Sequence, residues 1–371
     1  MAPHDRYDFR NNSTDTVRRI FLEAGLSEHR IGNFKKAFRE QNVSELGRLK
    51  GVTMRDAPLD RLPFSPLGLV RRVGDGSGNE KFVFETLDGH WIESVVLAGK
   101  RAPSVCVSVQ VGCKFRCAFC HTGRNGFKRD LYPFEILDQV RQMYQTSIVP
   151  RPLFCVSFMG MGEPFDNLDN CRAAFDWIRC DWGWMIGAKK ITFSTLGALN
   201  WDSFFRISPL PNLAVSLHSA REKVRRVLIP GSSTGLDALR EKMVRYAEMT
   251  NKQVSVAYCL FEGVNDSLED ARALAAYLRG VPCKVNLLSY NPLGKALDGL
   301  KNPSPESVRG AAPLDSASGL RFSPVSPGRV AEFAAWCEEE GVAVLHRKSL
   351  GVTIGAGCGQ LVAAHPADKP V

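Results

Sequence analysis

The residues best placed to do chemistry are three cysteines in the stretch VGCKFRCAFCHTG, where Cys113, Cys117 and Cys120 follow the spacing C-x3-C-x2-C. Three thiolates on one tight loop, directly after an apolar strand-like run, form a metal-binding arrangement. Four protein ligands would close a metal site. Three leave a position open, which suits a [4Fe-4S] cluster with one iron free to take a substrate or cofactor. Zinc would call for a fourth ligand, and His121 is the neighbour able to supply it. The remaining eight of the eleven cysteines are irregularly spaced, so the chain is read as holding reduced thiols and not a disulfide framework.

With Phe119 just before its last cysteine, this loop resembles the signature of the radical S-adenosylmethionine (SAM) superfamily. The resemblance implies a partial (β/α)6 barrel, with a SAM molecule bound through its amino and carboxylate groups to the open iron. Reductive cleavage of that SAM gives a 5′-deoxyadenosyl radical. Further residues fit in chain order. SFMGMGEP places Gly160, Gly162 and Glu163 in a loop where glycine lets backbone approach the ligand's ammonium group and Glu163 pairs with its charge. Ser194 in TFSTLG, Ser216, Leu217 and His218 in VSLH, and Asn291 in SYNP fall at predicted strand ends. Each alone reads as an ordinary hydrogen-bonded core or cap residue. Together, on successive strand ends of one sheet, they make a SAM pocket.

The elements that must position these residues follow from periodicity. Apolar strands alternate with amphipathic helices from residue 104 onward: SVCVSVQ, PFEILDQVRQMY, LFCVSFM, LDNCRAAFDWI, KITFS, LAVSLH, LDALREKMVRYAEMT, QVSVAYCL, SLEDARALAAYL, KVNLLSY, GRVAEFAAWCEEE and VAVLH. That alternation predicts an α/β fold with a parallel sheet covered by helices, whose chemistry gathers at the strand C-terminal ends. Ahead of it, LGLVRRV, KFVFETL and WIESVVL predict a short antiparallel connector, and VRRIFLEAGL, HRIGNFKKAFREQ and VSELGRLK predict three short helices. The expected organisation is an N-terminal helical, RNA-contacting domain over 1–60, a β connector carrying Glu93 over 61–103, a radical SAM core over 104–361 with a Pro/Ser-rich loop insertion near 302–327, and a tail over 362–371.

Two cysteines outside the cluster stand apart. Cys106 lies on the strand leading into the loop, and Cys358 lies in GAGCGQL, where Gly355, Gly357 and Gly359 predict an exposed, mobile backbone with little packing. The ordered set WIESVV, CVSVQVGCKFRCAFCHTG, FMGMGEP, STLG, SLHS, GVNDS, NLLSYNP and CGQL resembles the RlmN and Cfr family of radical SAM RNA adenine methyltransferases, over residues 91–361. By that resemblance Cys358 takes a methyl group from one SAM, and the radical made from a second SAM abstracts hydrogen from the S-methyl group. The thiomethylene radical adds to an electron-poor ring carbon of adenine. Cys106 then resolves the adduct through a transient disulfide with Cys358, and Glu93 accepts the ring proton. Without the resemblance Glu93 is an ordinary strand-end carboxylate.

The resemblance further implies two SAM molecules per turnover, an adenosine of 23S ribosomal RNA as target, a transfer RNA adenosine in some members, and an electron donor such as flavodoxin or ferredoxin. Carbon 2 is favoured over carbon 8 because GFKR and Pro164 look more like RlmN than Cfr. The chain departs from the usual family pattern at Asp130, at His121 and at the Ala356–Gly357 pair.

Composition agrees with a large soluble enzyme. The 371 residues are 44% hydrophobic and 23% charged, close to globular averages, which argues against wholesale disorder. No run of about 18 apolar residues is present, so no membrane span is expected, and the opening segment lacks an apolar signal core, which makes the cytoplasm the expected location. Lys and Arg outnumber Asp and Glu by 48 to 39, a formal charge of +9 that favours a polyanionic partner such as RNA. Two alternatives predict other behaviour. A radical SAM enzyme of peptides or small molecules would keep turnover without Cys358, and a non-catalytic metal-containing RNA-binding protein would hold zinc or no cofactor.

Overall fold

In the computed structural model, residues 8–361 are described except 42, 44, 54–56, 100–102, 148–154, 293–321 and 348. The tail 362–371 and most of the 302–327 insertion therefore lie outside the described residues. Ten strands form one sheet in the order β1 (Gly68–Gly74), β2 (Glu80–Glu85), β3 (Trp91–Leu97), β4 (Ser104–Cys106), β7 (Cys155–Phe158), β8 (Ile191–Thr195), β9 (Asn212–Ser216), β10 (Val254–Leu260), β11 (Cys283–Ser289) and β12 (Val344–Arg347). The first four pair antiparallel, and every later neighbour is parallel. The parallel strands follow one another in chain order without reversal, the pattern of a barrel arc and not of a doubly wound sheet. A separate hairpin joins β5 (Gln110–Gly112) to β6 (Phe127–Asp130).

Helices cover one face of the sheet: α4 (Pro133–Thr146), α5 (Leu168–Arg179), α6 (Trp201–Phe205), α8 (Leu236–Thr250), α9 (Leu268–Leu278) and α10 (Pro327–Glu339). Their starts are written in the sequence. Ser267 and Asp270 form a capping box at α9, and Ser326 caps α10 ahead of Pro327. Phe175 of α5 and Phe204 of α6 meet Phe193 of β8 at ring-centroid distances of 5.7 and 6.2 Å, and Phe333 of α10 meets Tyr258 of β10 at 5.4 Å.

The predicted N-terminal helices appear as α1 (Thr14–Glu23) and α2 (Glu28–Glu40), whereas the third is only a short 3-10 turn over Leu46–Arg48. Phe9, Phe21 and Phe34 tie this region to Trp177 and Trp182, on and just beyond α5. Its basic residues are partly committed within the protein. Arg18 pairs with Glu28, Lys35 with Asp181 at 2.6 Å, and Arg39 donates to the Gly183 carbonyl.

The run SVCVSVQ, expected as one strand, is divided. Beyond Cys106 the chain leaves the sheet because Gln139 of α4 accepts from the Ser108 N–H at 2.8 Å and donates to its C=O at 3.0 Å. Those bonds replace the ladder, and the amide of Val109 turns to the Met161 carbonyl.

Candidate active site

Side-chain direction alternates along a strand, so the register sorts the sheet into two faces. One carries Val105, Val156, Phe193, Val215, Tyr258 and Val285, all essentially inaccessible to solvent beneath the helices. The other is the inner face of the arc. There Cys106 pairs across with Ser157, Ser194 with Ala214, Ser216 with Ala257, Cys259 with Leu288, and Leu288 with Arg347. Glu93 joins the same face two residues from Val95, the partner of Cys106. The candidate residues Glu93, Cys106, Ser194 and Ser216 thus line one polar concavity. Ser194 and Ser216 are half-buried and make no hydroxyl hydrogen bond to other described residues, which leaves both available to a ligand.

The cysteine loop springs from β5 and ends at α3 (His121–Arg124). Its course is fixed by backbone bonds from outside: Cys113 N–H to Gly126 O, Ala118 N–H to Leu228 O, and Gly231 N–H to Phe115 O. The path demands glycine at the hinge. Gly112 has φ +76°, and a Cβ there would lie 1.8 Å from the Gly126 carbonyl oxygen. Gly112→Ala is expected to cost about 3 kcal/mol or more, through both strain and clash, and to prevent iron uptake. Chemical denaturation with iron and sulfide analysis checks it; unchanged values for both would contradict the hinge role.

A [4Fe-4S] cube takes each thiolate on a different iron, so the all-thiol donor set Cys113, Cys117 and Cys120 fits a cluster that keeps one iron open. Burial pushes the Cys113 thiol up to about 12 and Cys117 well above its ordinary value, with neighbouring thiolates and Glu163 adding to the rise. Protein alone disfavours this concentration of negative charge, and iron would compensate it.

Beside the loop, Glu163 is buried and accepts from the amides of Phe165 and Leu196, each at 3.0 Å. Burial pushes its carboxyl up to about 7 in spite of those bonds, so an arriving ammonium group would favour the ionised form. Gly162 is indispensable here: at φ +95° its missing Cβ would meet the Gln110 side chain at 2.5 Å. His218 sits at φ +57° with Nδ1 accepting from the Cys259 amide at 3.0 Å, and burial, with Arg225 nearby, lowers its pKa to about 3. It is a neutral imidazole whose ring lies edge-on to Phe119 at 4.8 Å. Leu217 is fully buried and contributes through its backbone, its amide donating to the Ala257 carbonyl.

Cys358 is exposed, and the protein surrounding the mouth of the arc still raises its thiol pKa, Arg347 opposing and Cys120 reinforcing the shift. Its charge also reaches Cys106, whose thiol burial pushes up to about 12, and Cys259. The structure therefore gathers Cys358, Cys106 and Cys120, residues 252 and 238 positions apart from Cys358 in the chain. The backbone around Cys358 is not loosely packed as its glycines suggested. A Cβ on Gly357 would meet Gln360 Oε1 at 2.7 Å and Asn291 Nδ2 at 2.8 Å. His121 N–H donates to Gly359 O at 2.9 Å, and Thr122 Oγ1 to Leu361 O at 2.8 Å. Asn291 thus supports the Cys358 loop and also donates to Ser349 Oγ.

Gln360 was missed by the reading from sequence. Wholly buried, it accepts from the Gly357 amide at 3.0 Å and closes the turn around Cys358. The signal was present, since an amide residue two positions after a glycine-flanked cysteine can bond back across the turn. Glu93 is buried and lies 3.3 Å from Lys81 Nζ, with its amide donating to Met161 Sδ.

The comparisons with known proteins agree with this geometry. Residues 107–275 match the model of the radical SAM superfamily. The chain is 31% identical over 357 residues to a protein of Caldicellulosiruptor saccharolyticus described as a probable dual-specificity RNA methyltransferase RlmN, covering 95% of each chain. A protein of the same description from Chlorobaculum tepidum is 35% identical over 309 residues, 81% of this chain and 76% of that one. The crystal structure of a radical SAM methyltransferase from Sphaerobacter thermophilus superposes with a TM-score of 0.81 at 31% identity, over 96% of this chain and 100% of that one.

Proposed function

We propose, from the premise that this chain belongs to the RlmN family of radical SAM RNA methyltransferases, that it methylates carbon 2 of an adenosine in 23S ribosomal RNA, and also in a transfer RNA, through a methyl group carried on Cys358. The observation that carries the reading is that the Cys358 turn docks on the cysteine loop, His121 N–H donating to Gly359 O and Gly359 packing on Phe119, with Cys106 within electrostatic reach of Cys358. Membership implies a [4Fe-4S] cluster and SAM. Cys113, Cys117 and Cys120 would hold the cluster, and Gly162, Glu163, Ser194, Ser216, Leu217, His218 and Asn291 would line or support the SAM site. When bound, these groups supply methyl equivalents and a one-electron cleavage that yields a hydrogen-abstracting radical.

The chain's own residues then divide the remaining work. Cys358, as thiolate, is the nucleophile that acquires the methyl carbon and presents it to the base. Glu93 accepts the ring proton, the C–H electron pair staying in the ring. Cys106 attacks Cys358 Sγ: an S–S bond forms, the S–C bond breaks, and the freed carbon takes a proton to become methyl. Turnover consumes two SAM molecules and a dithiol that reopens the disulfide, and cycles one electron through a donor such as flavodoxin or ferredoxin, which supplies it for SAM cleavage and regains it as the adduct gives up its unpaired electron along with the ring proton. The adenine must be unstacked to enter the concavity, as a loop nucleotide is.

Anaerobic incubation of the reconstituted protein with SAM, reductant and unmodified ribosomal and transfer RNA, read by nucleoside mass spectrometry, tests this. A 2-methyladenosine peak is expected. An 8-methyladenosine peak would move the reaction to the other carbon, and SAM cleavage without any methylated nucleoside would overturn the RNA target.

A further inference from the structure

The reading of Glu93 as proton acceptor leaves unexplained why it is paired with a lysine equally withdrawn from water. Lys81 Nζ stands 3.3 Å from Glu93 Oε1, with side-chain exposures of 3% and 5%. Lys81 pairs across the ladder with Val95, so it belongs to the same inner face as Glu93 and Cys106. Its neighbours along β2, Phe82 and Phe84, point to the opposite, fully buried face. An ion pair withdrawn this far gains little stability over apolar side chains of similar volume, because the desolvation of both charges offsets their attraction. Its presence on the face that carries the reacting residues points to chemistry.

The backbone at Glu93 is held from both sides. Its amide donates to Met161 Sδ at 3.3 Å, and its carbonyl accepts from Ser108 Oγ at 2.5 Å, while the same hydroxyl accepts from the Met161 amide at 2.8 Å. Those bonds fix where the side chain starts but not where its carboxylate ends. Among the described residues, Lys81 of β2 pairs with it and Cys106 of β4 shares its face, Cys358 lying within electrostatic reach of Cys106. The loop that carries Met161 also carries Glu163, whose carboxylate is engaged by the amides of Phe165 and Leu196.

We propose that Lys81 is the positioning residue of Glu93: its ammonium, 3.3 Å from Oε1, aims the carboxylate along the face that carries Cys106, toward the ring proton. This rests on the reading of Glu93 as proton acceptor. Without that ammonium the carboxylate is free to turn away from the reacting base, and in that orientation it accepts no ring proton.

The test compares Lys81→Met and Lys81→Arg with Glu93→Gln under single-turnover conditions, following three readouts: 5′-deoxyadenosine formed, RNA held covalently on the protein in a denaturing gel, and methylated nucleoside released. Lys81→Met is expected to form 5′-deoxyadenosine at the wild-type rate and to accumulate covalent RNA about as Glu93→Gln does, with release slowed at least about tenfold. Lys81→Arg, which keeps the charge, is expected to restore most of the release. Should the methionine variant fail to take up iron, Lys81→Gln, a neutral donor of similar reach, is expected to show the same accumulation. If Glu93→Gln accumulates the adduct while neither neutral Lys81 variant does, the inference is overturned and the reading of Glu93 stands. Equal loss of all three readouts in the neutral variants would overturn it in favour of a structural role. If Glu93→Gln releases product normally, Glu93 is not the base and the inference falls with it.

Discussion

Replacing Cys358 by alanine is expected to abolish methylation of RNA, a loss of about 10⁴-fold or more, the scale on which removal of a covalent nucleophile acts. The effect should be confined to that carrier function. Cys358 is exposed and its side chain supports no other element, while the loop around it is held by the Gln360, His121 and Thr122 bonds, which the substitution leaves in place. Iron and sulfide content and the thermal transition are therefore expected to match the wild type. Nucleoside mass spectrometry beside cofactor analysis checks both halves. Retained methylation in Cys358→Ala would mean that methyl transfer does not pass through this sulfur, whatever the family resemblance suggests.

Removal of the second thiol should produce the opposite failure. In Cys106→Ala the carbon reaches the base but cannot be released, so each protein molecule is expected to end covalently bound to RNA after one turnover, with release reduced to the background rate of hydrolysis. The wild type carries its own control in pH. The Cys106 thiol is pushed up to about 12, chiefly by burial, with the Ser157 hydroxyl opposing and the charge of Cys358 adding. Ionisation creates charge in a desolvated place, so the neutral thiol is favoured and the reactive thiolate grows with pH. Resolution of the adduct is thus expected to accelerate about tenfold per pH unit through the neutral and mildly alkaline range. Rapid-quench measurement of adduct decay decides it, and a flat profile would show that another group withdraws the thiol proton before attack.

Much of this site was legible in the chain because its signals are local. The C-x3-C-x2-C spacing, the glycines before Glu163 and the alternation of strands and helices are each contained in a few residues; in the structure the glycines follow β7 in the main sheet, whereas the cysteines follow β5 in the separate hairpin. What could not be read was held by long-range bonds. SVCVSVQ has an unbroken strand pattern, but the side chain of Gln139, 31 residues from Ser108, and the Met161 carbonyl take up its backbone groups outside the sheet. The glycines around Cys358 signal conformational freedom, yet Gly357 is required because Asn291 and Gln360 occupy the space that a side chain would need. Lys81 opens the run KFVFETL and carries no local signal of its own. Its meaning depends on the register of β2 against β3, which no local pattern specifies.

The division of the sheet into an apolar outer face and a polar inner face bears on how such an enzyme can change over time. Val105, Val156, Phe193, Val215 and Tyr258 lie next in sequence to Cys106, Ser157, Ser194, Ser216 and Cys259, yet the two sets never share surroundings. Within the second set Cys106, Ser194 and Ser216 are committed to the reaction, but Ser157 and Cys259 share their face without a step of their own. Inheritance can thus vary the inner face at such alternate positions without first eroding the packing beneath the helices, and a laboratory library confined to them would change the site at little cost in folded protein.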